Sequence, residues 1–162
     1  MTSKEARARQ LIFADSNVFI EALYLPDSAA AAVIQLAATS AIDLITCEPV
    51  IRDVENAILA KLTKVPTQLD TLLKKWAVIV QESRLAVVPA ANQDAVRETY
   101  KLYIASMRHA NDIPILAVVL EVRPDAVLSG NYEHFNSAVA SKSGIPMMTC
   151  SAFIELLARP KP

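Results

Sequence analysis

The chain has 162 residues, 53% of them hydrophobic and 20% charged, which suits one domain with a sizeable core and argues against disorder. No apolar run approaches the roughly 20 residues that a membrane-spanning helix needs. A formal charge of −1 argues against a basic coat protein that binds nucleic acid non-specifically.

The start of the chain, Met1 to Gln10, is polar and carries no apolar stretch ahead of a small-residue cleavage site, so no secretory leader is expected. Residues 1–9 read as a poorly ordered extension of a single domain covering 1–162. The first strand is Leu11-Ile12-Phe13-Ala14, followed at once by Asp15-Ser16-Asn17. Asp27-Ser28 caps an Ala-rich helix through about Thr39. A second strand, Leu44-Ile45-Thr46, leads into a helix from Glu48 to about Lys61, with Val50, Ile51, Val54 and Ile58 at helical spacing. Another amphipathic helix spans Thr67 to Glu82. A strand at Leu85–Val88 ends at Pro89, and a helix follows from Asp94 to Met107.

Asn111 or Asp112 opens the next helix, with Pro114 in its tolerant first turn. Ala126–Ser129 is a strand, Pro146–Thr149 a last short one, and Ser151 caps a terminal helix through Leu157. Gly130 and Gly144 sit at strand–loop junctions, where left-handed backbone is useful. Cys47 and Cys150 each follow an apolar run and read as small buried residues in a reducing, cytoplasmic setting. Alternating strands and helices define an α/β domain with a mostly parallel sheet covered on both faces. Ligands of such sheets bind outside the carboxyl ends of the strands.

Asp15, Asp53, Glu55, Asp112 and Asn131 all fall in segments that reach this edge. Each has a plain structural reading: turn or cap residue for Asp15 and Asn131, a macrodipole partner for Asp112, surface charge for Asp53 and Glu55. Together, clustered carboxylates need a neutralising hard cation such as Mg²⁺ or Mn²⁺. Ser16 and Asn17 either orient Asp15 from behind or make ordinary loop hydrogen bonds.

Four segments, Ile12–Asn17, His109–Ala117, Val127–Phe135 and Gly144-Ile145-Pro146 through Phe153, carry a resemblance that runs nearly the length of the chain. They resemble the PIN-domain family, in the branch that includes VapC-like toxin ribonucleases. The resemblance implies a three-layer α/β/α fold with a small, mostly parallel sheet. It also implies an endoribonuclease that uses Mg²⁺ or Mn²⁺ and a metal-activated water. Asp15 and Asp112 match the family's metal-ligating aspartates. The helical acid matches Asp53 best, with Asp where Glu is usual, and Glu55 is the competing choice. Asn131 stands where many members carry a fourth acid, which removes one charge from the site; Glu133 is a second source of charge in that loop.

Arg52, Lys61, Lys64, Lys101 and Arg108 are candidate phosphate contacts, with His109 and His134 beside them. The expected partners are single-stranded or structured RNA, an antitoxin protein, and a second copy of the chain, because the Ala29–Ala38 and Trp76–Val80 stretches are so apolar. Two other readings stay open. One is a degenerate PIN domain that binds RNA or a protein partner without cleavage. The other is a phosphoacceptor domain, which lacks the expected lysine after a strand.

Overall fold

The computed structural model describes residues 9–62, 68–130 and 135–160. Residues 1–8 of the expected N-terminal extension lie outside them, as do Lys64 and the 131–134 segment that holds Asn131, Glu133 and His134.

The first apolar run forms β1, Gln10–Ala14, and helix α1, Ser16–Tyr24, starts directly behind Asp15. The turn-like composition of Asp15-Ser16-Asn17 predicts no helix here. It forms because the Asp15 carboxylate caps it and because Val18, Phe19 and Leu23 repeat on one buried face. Helix α2, Ala29–Ala38, is capped by Ser28, whose Oγ accepts from the Ala31 N–H at 3.1 Å. Strand β2, Ile42–Cys47, runs into α3, Glu48–Leu62. Helix α4 is Leu69–Glu82, and the edge strand β3 is Ala86–Val88.

Helix α5, Gln93–Tyr103, stops short of the expected Met107, and two 3₁₀ turns, Ile104–Ser106 and Ala110–Asp112, carry the chain to α6, Ile113–Val122. Strand β4 is Ala126–Leu128. A second unexpected helix, α7, Ser137–Ser143, is capped by Asn136 and stopped by Gly144 at φ 71°. Strand β5, Met147–Met148, precedes α8, Cys150–Ala158, whose cap is Thr149 and not Ser151: Thr149 Oγ1 accepts from the Ala152 N–H at 3.1 Å. Of the two glycines only Gly144 uses left-handed backbone, so the expectation for Gly130 does not hold.

All strand pairings are parallel, in the order β3-β2-β1-β4-β5, and the sheet with its helices makes a PIN-like three-layer α/β/α fold. Ile12, Phe13, Val127 and Leu128 on the central strands are fully buried, and Phe19 meets Trp76 edge-on with ring centroids 5.5 Å apart. Right-handed crossovers bring the strand C-termini to one edge. The strand order reverses between β1 and β4, which opens a crevice at their ends. The main chain is joined across that crevice: the Asp15 N–H donates to the Leu128 carbonyl at 3.0 Å.

Helix α6 ends on Arg123 at φ 50°, a left-handed position that costs a residue bearing Cβ about 1 kcal/mol. Arg123→Gly is expected to stabilise the chain by about 0.5–1 kcal/mol, a rise of ~2–4 °C in Tm by calorimetry. A lower Tm would show that the arginine side chain contributes more than its backbone strain costs.

Candidate functional site

The site is assembled at the switch point by backbone geometry. Asp15 leaves β1 as the cap of α1, is only 5% exposed, and accepts from its neighbour's Ser16 N–H through Oδ1 at 2.8 Å. Its other oxygen, Oδ2, accepts from Ser129 Oγ at 2.9 Å. Asn17, half-buried on the first turn of α1, donates through Nδ2 to Ser129 Oγ at 3.2 Å and accepts the Gly130 N–H through Oδ1 at 2.8 Å. Thr46, fully buried in β2, donates to the Ala14 carbonyl at 2.8 Å and ties the second strand to the end of the first. Of the two residues expected behind Asp15, Ser16 acts through its backbone, and Asn17 acts through Ser129.

Asp112 sits at the N-cap position of α6 and makes no side-chain cap bond there, and its Oδ2 is shielded from solvent. Helix α3 packs against both α1 and α6. Asp53 lies on its second turn, about 8 Å along the axis from Glu48. Burial raises the Asp53 carboxyl above its ordinary value, and the Asp112 charge raises it further, while Arg52 pulls it down. Asp53 and Asp112 therefore interact across the α3–α6 contact.

Positions 53 and 55 are about 200° apart around a helix. They flank the buried line of Val50, Val54 and Ile58 on opposite sides, which leaves Glu55 on the flank away from Asp53. Asn131 lies outside the described residues.

The Cys47 thiol, at the end of β2, is pushed up to about 11, first by burial and then by the charges of Asp15, Asp53 and Glu48, against a lowering backbone hydrogen bond with Val50. Three carboxylates thus act on the end of β2, and Asp112 is joined to them through Asp53. Sequence pattern alone marks Glu48 only as a helix start. It also accepts from the Ala90 N–H at 3.3 Å, fastening α3 to the segment after β3. The sequence signal that could have found Ser129 was a hydroxyl at a strand end next to a glycine.

A hard divalent cation fits the chemistry of this donor set, which offers carboxylate oxygens in mutual repulsion. Among the described residues, no three His, Cys, Asp or Glu side chains are drawn into one metal-holding group. The basic candidates divide. Arg52 stands beside Asp53. Lys61 is in the last turn of α3, roughly 20 Å from the strand edge, with its Nζ 3.7 Å from the Tyr24 ring centroid. Lys101 is paired with Glu98 on the exposed face of α5. Arg108 and His109 lie on the exposed segment that leads into Asp112.

Both thiols are buried, and Cys150 is pushed up to about 12, chiefly by burial and then by the Glu21 charge. A folded value above the unfolded one means that the protonated thiols contribute stability fully below about pH 9, and that this is lost as pH rises towards 11–12. Native protein at pH 8 should resist iodoacetamide and react at both cysteines once unfolded, by intact mass. Rapid labelling of the native chain would contradict the burial.

The chain has the fold of the PIN-like domains. Two solved structures show this likeness of fold. A chain in the crystal structure of VapBC2 from Rickettsia felis, bound to a DNA fragment from their promoter, superposes with a TM-score of 0.62 at 11% identity, covering 85% of this chain and 96% of that one. PAE2754 from Pyrobaculum aerophilum superposes with a TM-score of 0.63 at 11% identity, covering 98% and 96%. The expected resemblance is borne out in the fold. No family model matches the sequence, and no curated protein does.

Proposed function

We propose that the chain is a divalent-cation-dependent nuclease that hydrolyses RNA phosphodiester bonds at the Asp15 edge. The observation that carries this is the action of the Asp112 charge on Asp53, with Asp15 and Asp53 both acting on the Cys47 thiol at the end of β2. Asp15, Asp53 and Asp112 would hold the cation, Mg²⁺ or Mn²⁺, with Asn131 offering a neutral carbonyl oxygen. When bound, the cation lowers the pKa of water and offsets charge on the phosphate. Ser129 and the Ser16 N–H fix the Asp15 carboxylate, and Arg52 and Arg108 would be the candidates to meet phosphate oxygens.

The test is cleavage of single-stranded and structured RNA with Mg²⁺, with Mn²⁺ and with EDTA. Cation-dependent products with 5′-phosphate and 3′-hydroxyl ends are expected. Intact RNA under every condition would sink the nuclease reading. RNA binding without cleavage or metal uptake would favour the degenerate binding domain, a reading supported by Asn131 in place of a fourth acid.

The VapBC2 likeness supports a further part of the proposal, a toxin acting with an antitoxin partner; the cytoplasm is its proposed setting. So does a groove of about 400 Å³ between α1 and α4, lined by Ala22, Leu23, Pro26, Val78 and Ile79 together with Thr71, Lys74 and Lys75. The apolar stretches behind the expected homodimer are largely turned inward: Ala30, Val33, Ile34, Ala37 and Trp76 are buried, and Leu25, Leu73 and Val78 are left exposed. Those three residues support a second copy as partner, and a size-exclusion mass of one chain would remove it. Among the described residues, no single helix is long and apolar enough to cross a membrane.

A further inference from the structure

We propose that Asn17 is a positioning residue that aims Asp15 by fixing the direction in which the Ser129 hydroxyl points. This rests on the nuclease reading, because the group being aimed is the proposed cation ligand.

The direction follows from donor and acceptor chemistry. The Gly130 N–H has only a proton to give, so the Asn17 atom that faces it at 2.8 Å must be the carbonyl oxygen. The other end of the carboxamide is then an NH₂, which has no acceptor capacity. Ser129 Oγ, 3.2 Å from that NH₂, must accept from it. The hydroxyl keeps one proton, and it goes to Asp15 Oδ2 at 2.9 Å. A single backbone N–H thereby sets the sense of three successive hydrogen bonds that end on a carboxylate. Bonds in such a chain polarise one another, and the last is charge-assisted.

Burial makes the relay matter. Ser129 is 6% exposed and Asp15 is 5% exposed, so water competes poorly for either group. Without the Asn17 NH₂, the Ser129 hydroxyl loses a donor that holds its remaining proton towards Asp15. Asp15 then keeps the Ser16 N–H on Oδ1, while the donor on Oδ2 is less well aimed. Asn17 needs no contact with RNA or cation to act in this way.

The test is a double-mutant cycle read by calorimetric titration with Mn²⁺ alone, in the absence of RNA. Asn17→Ala and Ser129→Ala are each expected to weaken Mn²⁺ binding about 10–100-fold, the usual cost of losing a partner behind a metal ligand. The double variant is expected to bind no more weakly than the weaker single one, because both changes break the same chain. Ser129→Thr, which keeps the hydroxyl, should stay within about threefold of the wild type and keeps the proposal testable if Asn17→Ala fails to fold.

Hydrogen exchange of the Gly130 amide gives a metal-free readout. It should speed up in Asn17→Ala and change little in Ser129→Ala. Fully additive losses in Mn²⁺ affinity, or unchanged affinity in Asn17→Ala, would overturn the relay while leaving the metal site standing. A wild-type chain that takes up no Mn²⁺ would overturn the metal reading and the relay with it.

Discussion

Asp15→Asn is expected to lower cation-supported RNA cleavage on the order of 10²–10³-fold while the fold survives, the scale seen when one electrostatic contact to reacting charge is removed. The substitution changes charge and almost nothing else. Asparagine caps helices as well as aspartate does, so α1 keeps its start and the Ser16 N–H keeps an acceptor. The change falls on the other side of the group, where an NH₂ would confront the Ser129 hydroxyl that now donates at 2.9 Å. Turning that hydroxyl away costs about 1–2 kcal/mol, or a fall of ~2–8 °C in Tm. Asp15→Ala should be worse for stability, because it removes the cap as well. Cleavage of a fluorescent RNA with Mn²⁺, beside a thermal melt, separates the two effects. Undiminished cleavage by a folded Asp15→Asn chain would remove Asp15 from the site.

How much of this was legible beforehand differs from residue to residue, and the reason is the range of the physics involved. Strand β1 and its aspartate were readable because a fully apolar run that stops on a polar residue is a local signal. Ser28 as a cap and Pro114 in the first turn of α6 were readable for the same reason. Helix α1 was not, because Asp15-Ser16-Asn17 has turn composition, and only the packing of Phe19 against Trp76 and of Leu23 in the core shows the helical face. Helix α7 is short and carries one fully buried side chain, Val139, so its periodicity is too weak to see.

The early stop of α5 is a tertiary event. Asn136 donates through Nδ2 to the Ser106 carbonyl at 2.8 Å, a contact between segments thirty positions apart in the chain. Ser129 stood in the sequence as a strand-end residue without a role, and its partnership with Asp15 exists only once β4 lies beside β1.

Asp53→Asn and Glu55→Gln are expected to have opposite outcomes, and together they decide what periodicity alone left open. Both acids lie on α3, and an alignment shifted by two positions exchanges them. The packed helix sets them apart: Asp53 lies on the flank that senses the Asp112 charge, and Glu55 lies across the buried line of Val50, Val54 and Ile58 from it. Asp53→Asn should lower Mn²⁺-supported cleavage on the order of 10²-fold or more, and Glu55→Gln should leave it within about threefold. The metal-free stabilities should also differ in sign from an ordinary loss of function. The Asp53 carboxyl is raised in the folded chain, so its stabilising contribution is full below the unfolded value of 3.8 and is lost as pH rises through the folded value. At neutral pH the ionised group is a net cost, and Asp53→Asn removes it. Its melting temperature should therefore match or slightly exceed that of the wild type, by an amount kept small because Asp53 is exposed enough for solvent to screen it. A chain that becomes inactive without becoming less stable is the signature of a carboxylate retained for what it binds. Equal activity in the two variants, or loss in Glu55→Gln alone, would move the helical acid to the other flank and detach it from Asp112.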